Sequence, residues 1–161
     1  MSKVVRSDED LLLTLLNSSP LLDGEPRDEL RGPGAGAWLR THEIPGTPRT
    51  SRELRDAIAA VVRGEARPTT LQHYLHAVRQ IPVLTEEGVQ WKTIGGGIGA
   101  RAVLAWAALG DRLRACENDQ ECRLFLIDRS KPNTRRWCSM KTCGNRLKAR
   151  RHHEKLKSPT D

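Results

Sequence analysis

The sequence contains few aromatic residues and no apolar segment long enough to cross a bilayer. Its 161 residues include four Trp, one Tyr and one Phe, and 37% of them are hydrophobic. A membrane-spanning helix needs about 20 consecutive apolar residues, which this sequence does not provide. With 13 Gly and 9 Pro, the composition also excludes a collagen-like fibre. The length suits one domain, or a modest domain with a small appendage, and excludes a large multidomain enzyme.

The common catalytic motifs are absent from the sequence as well. It has neither the H-E-x-x-H motif of metalloproteases nor a nucleophile-elbow sequence. His73 and His76 are three residues apart, but no third metal ligand accompanies them, so we interpret them as packing or exposed side chains. Residues 95–100 match the loose dinucleotide pattern G-x-G-x-x-[GA], yet no parallel strand ending in an acidic residue follows. We expect a turn and a helix start there, and we expect no enzymatic activity.

The N-terminal segment lacks the long apolar core of a secretory signal. Residues 11–16 form an apolar run with a threonine inside it, whereas the core of a signal needs about 7–15 apolar residues. Ser7 and Asp10 are instead typical of a capping box that opens a helix. We therefore expect a cytoplasmic protein with no membrane partner, in a reducing compartment that disfavours disulfides.

Hydrophobic periodicity and turn residues predict a mainly helical α+β chain with one small β-hairpin. Ser51 is the predicted N-cap of an amphipathic helix whose apolar face is formed by Leu54, Ile58, Val61 and Val62. The most apolar segment predicts the central core helix, with Val103, Leu104, Trp106, Ala107 and Leu113. The predicted helices cover residues 9–17, a part of 28–40, a segment from Ser51, a segment from Thr69 or Thr70, and 100–115; the predicted strands are 80–85 and 89–94.

Basic residues are concentrated in the last third of the chain. The formal net charge of the whole sequence is +7. Residues 1–110 hold 13 basic and 13 acidic side chains, whereas residues 111–161 hold 14 basic and 7 acidic ones. A neutral body with a basic tail is typical of a protein that binds a phosphate backbone. The alternative is a solvated tail that keeps the protein soluble.

All four cysteines lie in this basic segment, at Cys116, Cys122, Cys138 and Cys143. Their spacing is C-x5-C-x15-C-x4-C, which forms two local pairs. Four thiolates suit tetrahedral Zn²⁺. A structural zinc ion would also supply on the order of 10–16 kcal/mol to a segment too polar to fold alone. Two disulfides or four unrelated thiols are the alternatives to the predicted single structural zinc ion.

The residues around the second cysteine pair carry a family resemblance. Residues 137–152 read WCSMKTCGNRLKARRH, which includes Cys-Gly-Asn-Arg at 143–146. The upstream segments 122–130 and 135–137 follow the same pattern, and together these segments resemble the CGNR zinc-finger family. The first cysteine pair departs from the family pattern, because C-x5-C stands where C-x4-C is expected. That departure puts Cys116 in question as a ligand.

The resemblance implies a bacterial, stress- or ligand-linked transcription regulator with a two-part fold. Residues 1–112 are similar to the helical domain with a small hairpin that precedes the finger in this family. Such a body would sense a small-molecule effector or form a homodimer. Residues 113–161 would then form a treble-clef-like zinc finger with a basic C-terminal helix.

The basic residues around the last cysteine pair predict the nucleic-acid contacts. Asn145 is the predicted N-cap of a helix that begins at the metal, and Gly144 supplies backbone freedom before it. The side chains of this helix would contact the major groove or the phosphates of duplex DNA. Arg135 and Arg136 would clamp the backbone from the other side. The predicted contacts on the helix are Arg146, Lys148, Arg150, Arg151 and Lys155.

These patterns together predict a DNA-binding transcription regulator associated with the nucleoid. The alternative function is a zinc-dependent adaptor that docks on an acidic partner, such as a sigma factor or another RNA polymerase component. An RNA-binding role is less favoured, because the sequence offers few aromatic side chains for base stacking.

Overall fold

The computed structural model describes residues 7–22 and 24–157, and it confirms the predicted α+β class. The helices are α1 (Asp8–Leu16), α2 (Ala35–Thr41), α3 (Pro48–Val62), α4 (Ile98–Leu109) and α5 (Asn145–Lys157). The strands are β1 (Leu21–Leu22), β2 (Glu25–Pro26), β3 (Arg79–Thr85), β4 (Gly88–Ile94), β5 (Leu113–Ala115) and β6 (Phe125–Ile127). The strands pair antiparallel in three two-stranded sheets, β1 with β2, β3 with β4 and β5 with β6. No described helix is both long and apolar enough to span a membrane.

Helix α1 lies at the centre of the core, where it contacts α3, α4 and β6. The Ser7 hydroxyl accepts a hydrogen bond from the Asp10 N–H at 3.1 Å, so the predicted cap at Ser7 is confirmed. The leucines of this helix are closely spaced because its apolar side chains face three neighbours rather than one. Its buried leucines, each at most 2% exposed, are Leu11, Leu12, Leu15 and Leu16.

Helix α3 begins one turn earlier than the sequence predicted. Thr47 is its N-cap, since the Thr47 hydroxyl accepts the N–H three residues further on at 3.2 Å and Pro48 occupies the first helical position. Ser51, the predicted cap, lies inside the helix and is 1% exposed, so that prediction was wrong. The fixed φ of proline suits a first helical turn, which explains the earlier start. Leu54 and Ile58 face the core as predicted.

Helix α4 is the second core helix, but it is shorter than predicted. It ends at Leu109, whereas the sequence predicted a helix to residue 115. Gly110 adopts a φ of +53°, a left-handed conformation that stops the helix, and Leu113 then begins strand β5. Val103 and Leu113 are buried as expected, whereas Leu104 is 39% exposed.

Strands β3 and β4 form the predicted hairpin, and every residue of both strands is exposed. Thr85 pairs with Gly88 at the tip, so two residues connect the strands. The segment before the hairpin is a 3-10 helix, Pro68–Leu75, rather than an α-helix that begins at Thr69 or Thr70.

The glycines that follow the hairpin pack closely against the segment that precedes it. A Cβ atom on Gly95 would lie 2.2 Å from the carbonyl oxygen of Ala77, and one on Gly99 would lie 2.5 Å from Tyr74 Cδ1. Gly95 also has a positive φ of +73°. Close backbone approach therefore accounts for these glycines and supports their interpretation as a turn.

Strands β5 and β6 attach the last third of the chain to the helical body. Leu113, Phe125 and Ile127 are buried in the same core as α1. The Asn17 side chain accepts the Phe125 N–H at 2.7 Å and donates to the Phe125 carbonyl oxygen at 3.2 Å, as a neighbouring strand would. The two predicted parts of the chain thus share one hydrophobic core across the expected boundary.

A buried ion pair joins α3 to the segment that precedes α2. The Arg55 side chain, 6% exposed, donates to both carboxylate oxygens of Asp28 at 2.6 and 2.9 Å. It also donates to Ser18 Oγ at 3.1 Å and to Asp56 Oδ1 at 2.8 Å. Burial raises the pKa of Asp28, but the hydrogen bonds from Arg55 and from the Leu30 N–H outweigh it and lower the pKa to about 2.

Replacing Asp28 by Asn should lower the free energy of unfolding by about 3 kcal/mol, because Arg55 then stays buried without its carboxylate. Urea unfolding at pH 7, followed by circular dichroism, measures this loss. The pKa of Asp28 is about 2 in the folded protein, below that of the unfolded chain. The advantage of the wild type over Asp28→Asn should therefore be complete above about pH 4 and shrink as the pH falls toward 2.

Asp56→Asn is the matched control. Asp56 also pairs with Arg55, but its side chain is 59% exposed. That change should cost less than about 1 kcal/mol. Equal losses in the two variants at pH 7 would contradict the assignment of the buried pair to Asp28.

Candidate metal centre

Four sulfur atoms converge beside the start of α5. Cys116 and Cys122 lie in the connection between β5 and β6, while Cys138 and Cys143 lie just before α5. All four Sγ atoms are within 4.8 Å of one another. The Sγ distances from Cys138 to Cys122 and to Cys143 are both 3.6 Å. The pairing of β5 with β6 closes the first two ligands into a knuckle that faces the second two.

The geometry of this cluster fits one tetrahedral zinc ion. Zinc–sulfur bonds of about 2.3 Å place neighbouring sulfur atoms about 3.8 Å apart. The Cys122–Cys138 and Cys138–Cys143 separations are 3.6 Å, and all the Sγ separations are within 4.8 Å. All four cysteines are free thiols. Cys116 belongs to the cluster despite its longer spacing, and its Sγ accepts the Cys138 N–H at 3.5 Å. The four cysteines therefore fit one structural zinc ion.

Burial and backbone N–H groups set the protonation of the thiols. The N–H groups of Cys138 and Asn118 oppose the effect of burial and lower the pKa of the Cys116 thiol. Burial raises the pKa of Cys122 to about 11, even though the Leu124 N–H also points at its sulfur. Burial, together with the neighbouring thiols, raises the pKa of Cys138 as well. Because zinc takes up thiolates, metal binding at this site must release protons.

A turn on Asp128 holds the segment that leads to Cys138. The Asp128 carboxylate is fully buried and accepts the N–H groups of Ser130 and Arg135 at 2.8 and 2.7 Å. The hydrogen bond of the Ser130 side chain contributes most, and with these two N–H groups it lowers the pKa of Asp128 to about 2 despite its burial. Arg135 then donates to the carbonyl oxygen of Trp137 at 3.0 Å and to that of Cys138. Arg135 thereby braces the backbone of a zinc ligand.

Arg136 ties the second cysteine pair to the first. Its Nε lies 2.6 Å from both carboxylate oxygens of Glu117, and its guanidinium lies 5.4 Å from the ring centroid of Trp137. The Glu117 N–H also donates to the Arg136 carbonyl oxygen at 3.0 Å. Glu117, which follows Cys116, is thus bonded to Arg136, which lies two residues before Cys138.

A single π-helical turn, Met140–Gly144, carries Cys143 into α5. Ser139 caps this turn by accepting the Thr142 N–H at 3.3 Å. Asn145 already has a helical φ of −70° and ψ of −39°. The prediction that Asn145 is the N-cap was therefore wrong, because the cap lies one turn earlier.

The four-cysteine cluster and the turn into the basic helix lie in one continuous segment of the chain. Residues 112–155 match the family model of the CGNR zinc finger. This segment, called the CGNR finger below, is similar to the zinc finger of that family. The match includes both cysteine pairs and most of α5, while the helical body before residue 112 lies outside it. No curated protein matches the chain.

The glycine of the CGNR motif lies close to two side chains and does not use the backbone freedom of glycine. Gly144 has no positive φ, in contrast to the prediction from the sequence. A Cβ atom there would lie 3.3 Å from Met140 Sδ and 3.6 Å from Trp137 Cε3. A Cβ atom would therefore touch the indole ring at ordinary van der Waals distance and would require only a small shift of the Met140 side chain, which is 49% exposed.

Arg150 fastens α5 to the first knuckle of the CGNR finger. Its guanidinium donates to the side-chain oxygens of Gln120 and Asn118 at 2.8 and 3.2 Å, and it pairs with Glu121 at 2.8 Å. Asn118 is 1% exposed, and its N–H lowers the pKa of the Cys116 thiol. Arg150 therefore fixes the direction of the helix relative to the zinc ligands.

Three other predicted nucleic-acid residues are exposed on α5, namely Arg146, Lys148 and Arg151. Within the part of the chain that the structure describes, Arg146 and Lys148 form no hydrogen bond or ion pair. Arg151 adds its charge to that of Arg136 in lowering the pKa of Glu117. Lys155 belongs to α5, but its side chain lies outside the described residues.

Sequence reasoning missed two polar residues that organise the CGNR finger. The Asp-x-Ser pattern at 128–130 is typical of an Asx turn and could have indicated Asp128. Asn118 carried no such signal, because its contact with Arg150 spans 32 residues. Among the described residues, the four cysteines form the one cluster of three or more metal-type ligands, and His73 and His76 are not part of it.

Purified protein should contain one zinc ion per chain by elemental mass spectrometry. Cys116→Ser and Cys138→Ser should each weaken zinc binding by more than about 100-fold, because three thiolates leave an open coordination position. The double variant His73→Ala/His76→Ala is the control and should keep its zinc. Full zinc retention by Cys116→Ser would show that the first cysteine is not a ligand.

Proposed function

We propose that this protein is a bacterial DNA-binding transcription regulator whose zinc-held helix α5 contacts duplex DNA. The observation that carries the proposal is the exposed basic surface of α5, where Lys148 and Arg151 lie close together and away from the contacts of the anchoring Arg150. A helix with side chains is about 10–12 Å wide, which matches a major groove of about 12 Å. The protein would act at the nucleoid in the cytoplasm, and we assign it no catalytic step.

The charge of the finger supports a polyanionic partner. From Arg123 to the last residue, the chain holds 12 basic and 3 acidic side chains. The nearby acids Glu117 and Glu121 are already paired with Arg136 and Arg150. The charges of Arg146 and Lys148 are therefore not neutralised by any described residue. Phosphates are the partner that basic helices bind most generally.

Three of the predicted DNA contacts have a second role in this proposal. Arg135, Arg136 and Arg150 each donate hydrogen bonds within the finger. We assign these three to holding the zinc site and α5 in place, with any contact to phosphate secondary to that role. Arg146, Lys148 and Arg151 then supply the main contacts to DNA.

The double variant Lys148→Ala/Arg151→Ala should bind random duplex DNA at least about tenfold more weakly than the wild type at 150 mM salt, because two phosphate contacts are lost. The slope of log affinity against log salt concentration should fall by about 2. Fluorescence anisotropy measures both quantities. The charge-matched control is Arg40→Ala/Arg67→Ala, two exposed residues of the body, and it should leave affinity unchanged.

The salt series also separates DNA binding from the adaptor function. An adaptor on an acidic protein would ignore duplex DNA at physiological salt. Absence of duplex binding by the wild type, or equal losses in the helix variant and the body control, would contradict the proposal. Absence of duplex binding would favour an acidic component of the transcription machinery as the partner, whereas equal losses would exclude α5 as the main DNA contact.

We also propose that the protein is a homodimer, with the β3–β4 hairpin as the interface. Cross-strand pairing places Pro82 with Trp91 and Leu84 with Val89 on one face. Leu84, Val89 and Trp91 are 82, 60 and 65% exposed. Monomeric proteins rarely expose a contiguous apolar patch of this kind. A two-fold axis would cover the face with its own copy and present two α5 helices to paired half-sites.

Trp91→Ser combined with Leu84→Ser should convert the dimer into a monomer at micromolar concentration, because the substitutions remove most of the apolar area of that face. Sedimentation velocity measures the change in mass. Gln90→Ser, on the opposite face of the same strand, should leave the dimer intact. A wild type that sediments as a monomer would rule out this interface.

A further inference from the structure

A cavity of about 480 Å³ lies where the helical body meets the zinc finger. Helices α1 and α3 form one side, and the chain between Cys122 and β6 forms the other. This volume falls within the range of about 300–1,000 Å³ that is typical of small-molecule sites. The apolar part of its wall includes Leu16, Ala59 and Phe125.

The charges that line the cavity are unbalanced. Four arginines and two aspartates contribute to the wall: Arg31, Arg55, Arg63, Arg123, Asp28 and Asp56. Both aspartates are already engaged, because Asp28 accepts both Arg55 amino groups and Asp56 accepts the Arg55 Nε. Arg55 is therefore neutralised within the wall.

Arg63 and Arg123 provide the excess positive charge. The Arg63 guanidinium lies 4.4 Å from the ring centroid of Phe125 and donates from Nη2 to the Arg123 carbonyl oxygen at 3.2 Å. Within the described residues, neither arginine forms an ion pair with a carboxylate. Burial and the charge of Arg123 hold the pKa of Arg63 below its usual value, against the opposing charge of Glu65. Two cations thus face one cavity, and no carboxylate of the described residues is paired with them.

We propose that this cavity binds a small organic anion, with its carboxylate or phosphate held between Arg63 and Arg123 and its apolar group against Pro26 and Ala59. Guanidinium groups bind such anions through paired N–H donors. The Arg63 side chain is positioned for this role, because stacking on Phe125 and one backbone hydrogen bond hold it while its other donors stay available.

The cavity is placed so that its ligand would contact both parts of the molecule. Arg123 directly follows the zinc ligand Cys122, while Arg63 belongs to the first turn after α3. Phe125 lies in β6 and pairs with the Asn17 side chain at the end of α1. A ligand between the two arginines would therefore hold the first knuckle of the finger against the body.

Isothermal titration of the zinc-loaded chain with four probes tests the site. Benzoate and phenyl phosphate supply the organic anion in its two forms, benzamide supplies the same apolar group without charge, and inorganic phosphate supplies charge without the apolar group. We expect at least one organic anion to bind at least tenfold more tightly than benzamide and inorganic phosphate. The affinity should fall at least tenfold in Arg63→Gln/Arg123→Gln.

Two further variants keep the result interpretable. Arg63 lies outside the zinc finger, so Arg63→Gln alone should weaken anion binding and leave the zinc content unchanged. Arg40→Gln/Arg67→Gln removes two exposed charges elsewhere and should leave the affinity within twofold of the wild type. Equal binding of benzamide, equal losses in the control, or no binding of either organic anion would overturn the proposal. All titrations are done without DNA, so their failure would leave the DNA-binding proposal untouched.

Duplex DNA is the competing occupant of the two arginines. If Arg63→Gln/Arg123→Gln weakened duplex binding while the wild type bound neither organic anion, the arginines would belong to a phosphate-backbone contact. That outcome would also overturn the small-ligand site.

Discussion

Four sulfur atoms lie within 4.8 Å of one another, and all four can be thiolates only when a cation lies among them. The structure of the C-terminal third of the chain depends on that cation. Burial keeps the pKa values of Cys122 and Cys138 high, so protons occupy these sulfurs until a divalent metal replaces them. Once the sulfurs are fixed, Cys143 fixes the π-helical turn, and that turn sets the start of α5. Metal coordination thus sets where the basic helix starts, and the contacts of Arg150 fix its direction.

The helical body also stabilises the finger, because the zinc site lies next to a hydrophobic core that both parts share. Phe125 and Ile127 pack with the leucines of α1, and Asn17 continues the β6 hydrogen-bond pattern. The first knuckle is therefore held by zinc on one side and by the core on the other. Three arginines stabilise the finger in addition to zinc and the core. Arg135, Arg136 and Arg150 donate hydrogen bonds to backbone or side-chain oxygens around the zinc site. The surface of α5 that does not contact the first knuckle faces solvent.

Short sequence patterns predicted the structural features that depend on residues close together in the chain. The Ser7 cap, the hairpin and the four zinc ligands are all readable from short spacings, and the geometry agrees with each. The errors arose where two local signals competed, as at Thr47–Pro48 against Ser51, or where a single glycine decided the outcome, as at Gly110. Contacts between distant residues were not predictable from spacing. The pairing of Arg150 with Asn118, which turns a predicted DNA contact into a brace, is such a case.

X-ray absorption at the zinc edge of the purified protein measures the ligands of the metal. We predict a first shell of four sulfur atoms at about 2.3 Å, with no nitrogen or oxygen ligand. A shell with three sulfur atoms and one lighter ligand would contradict the four-cysteine site. That result would remove Cys116 or another cysteine from the centre and leave the start of α5 without its explanation.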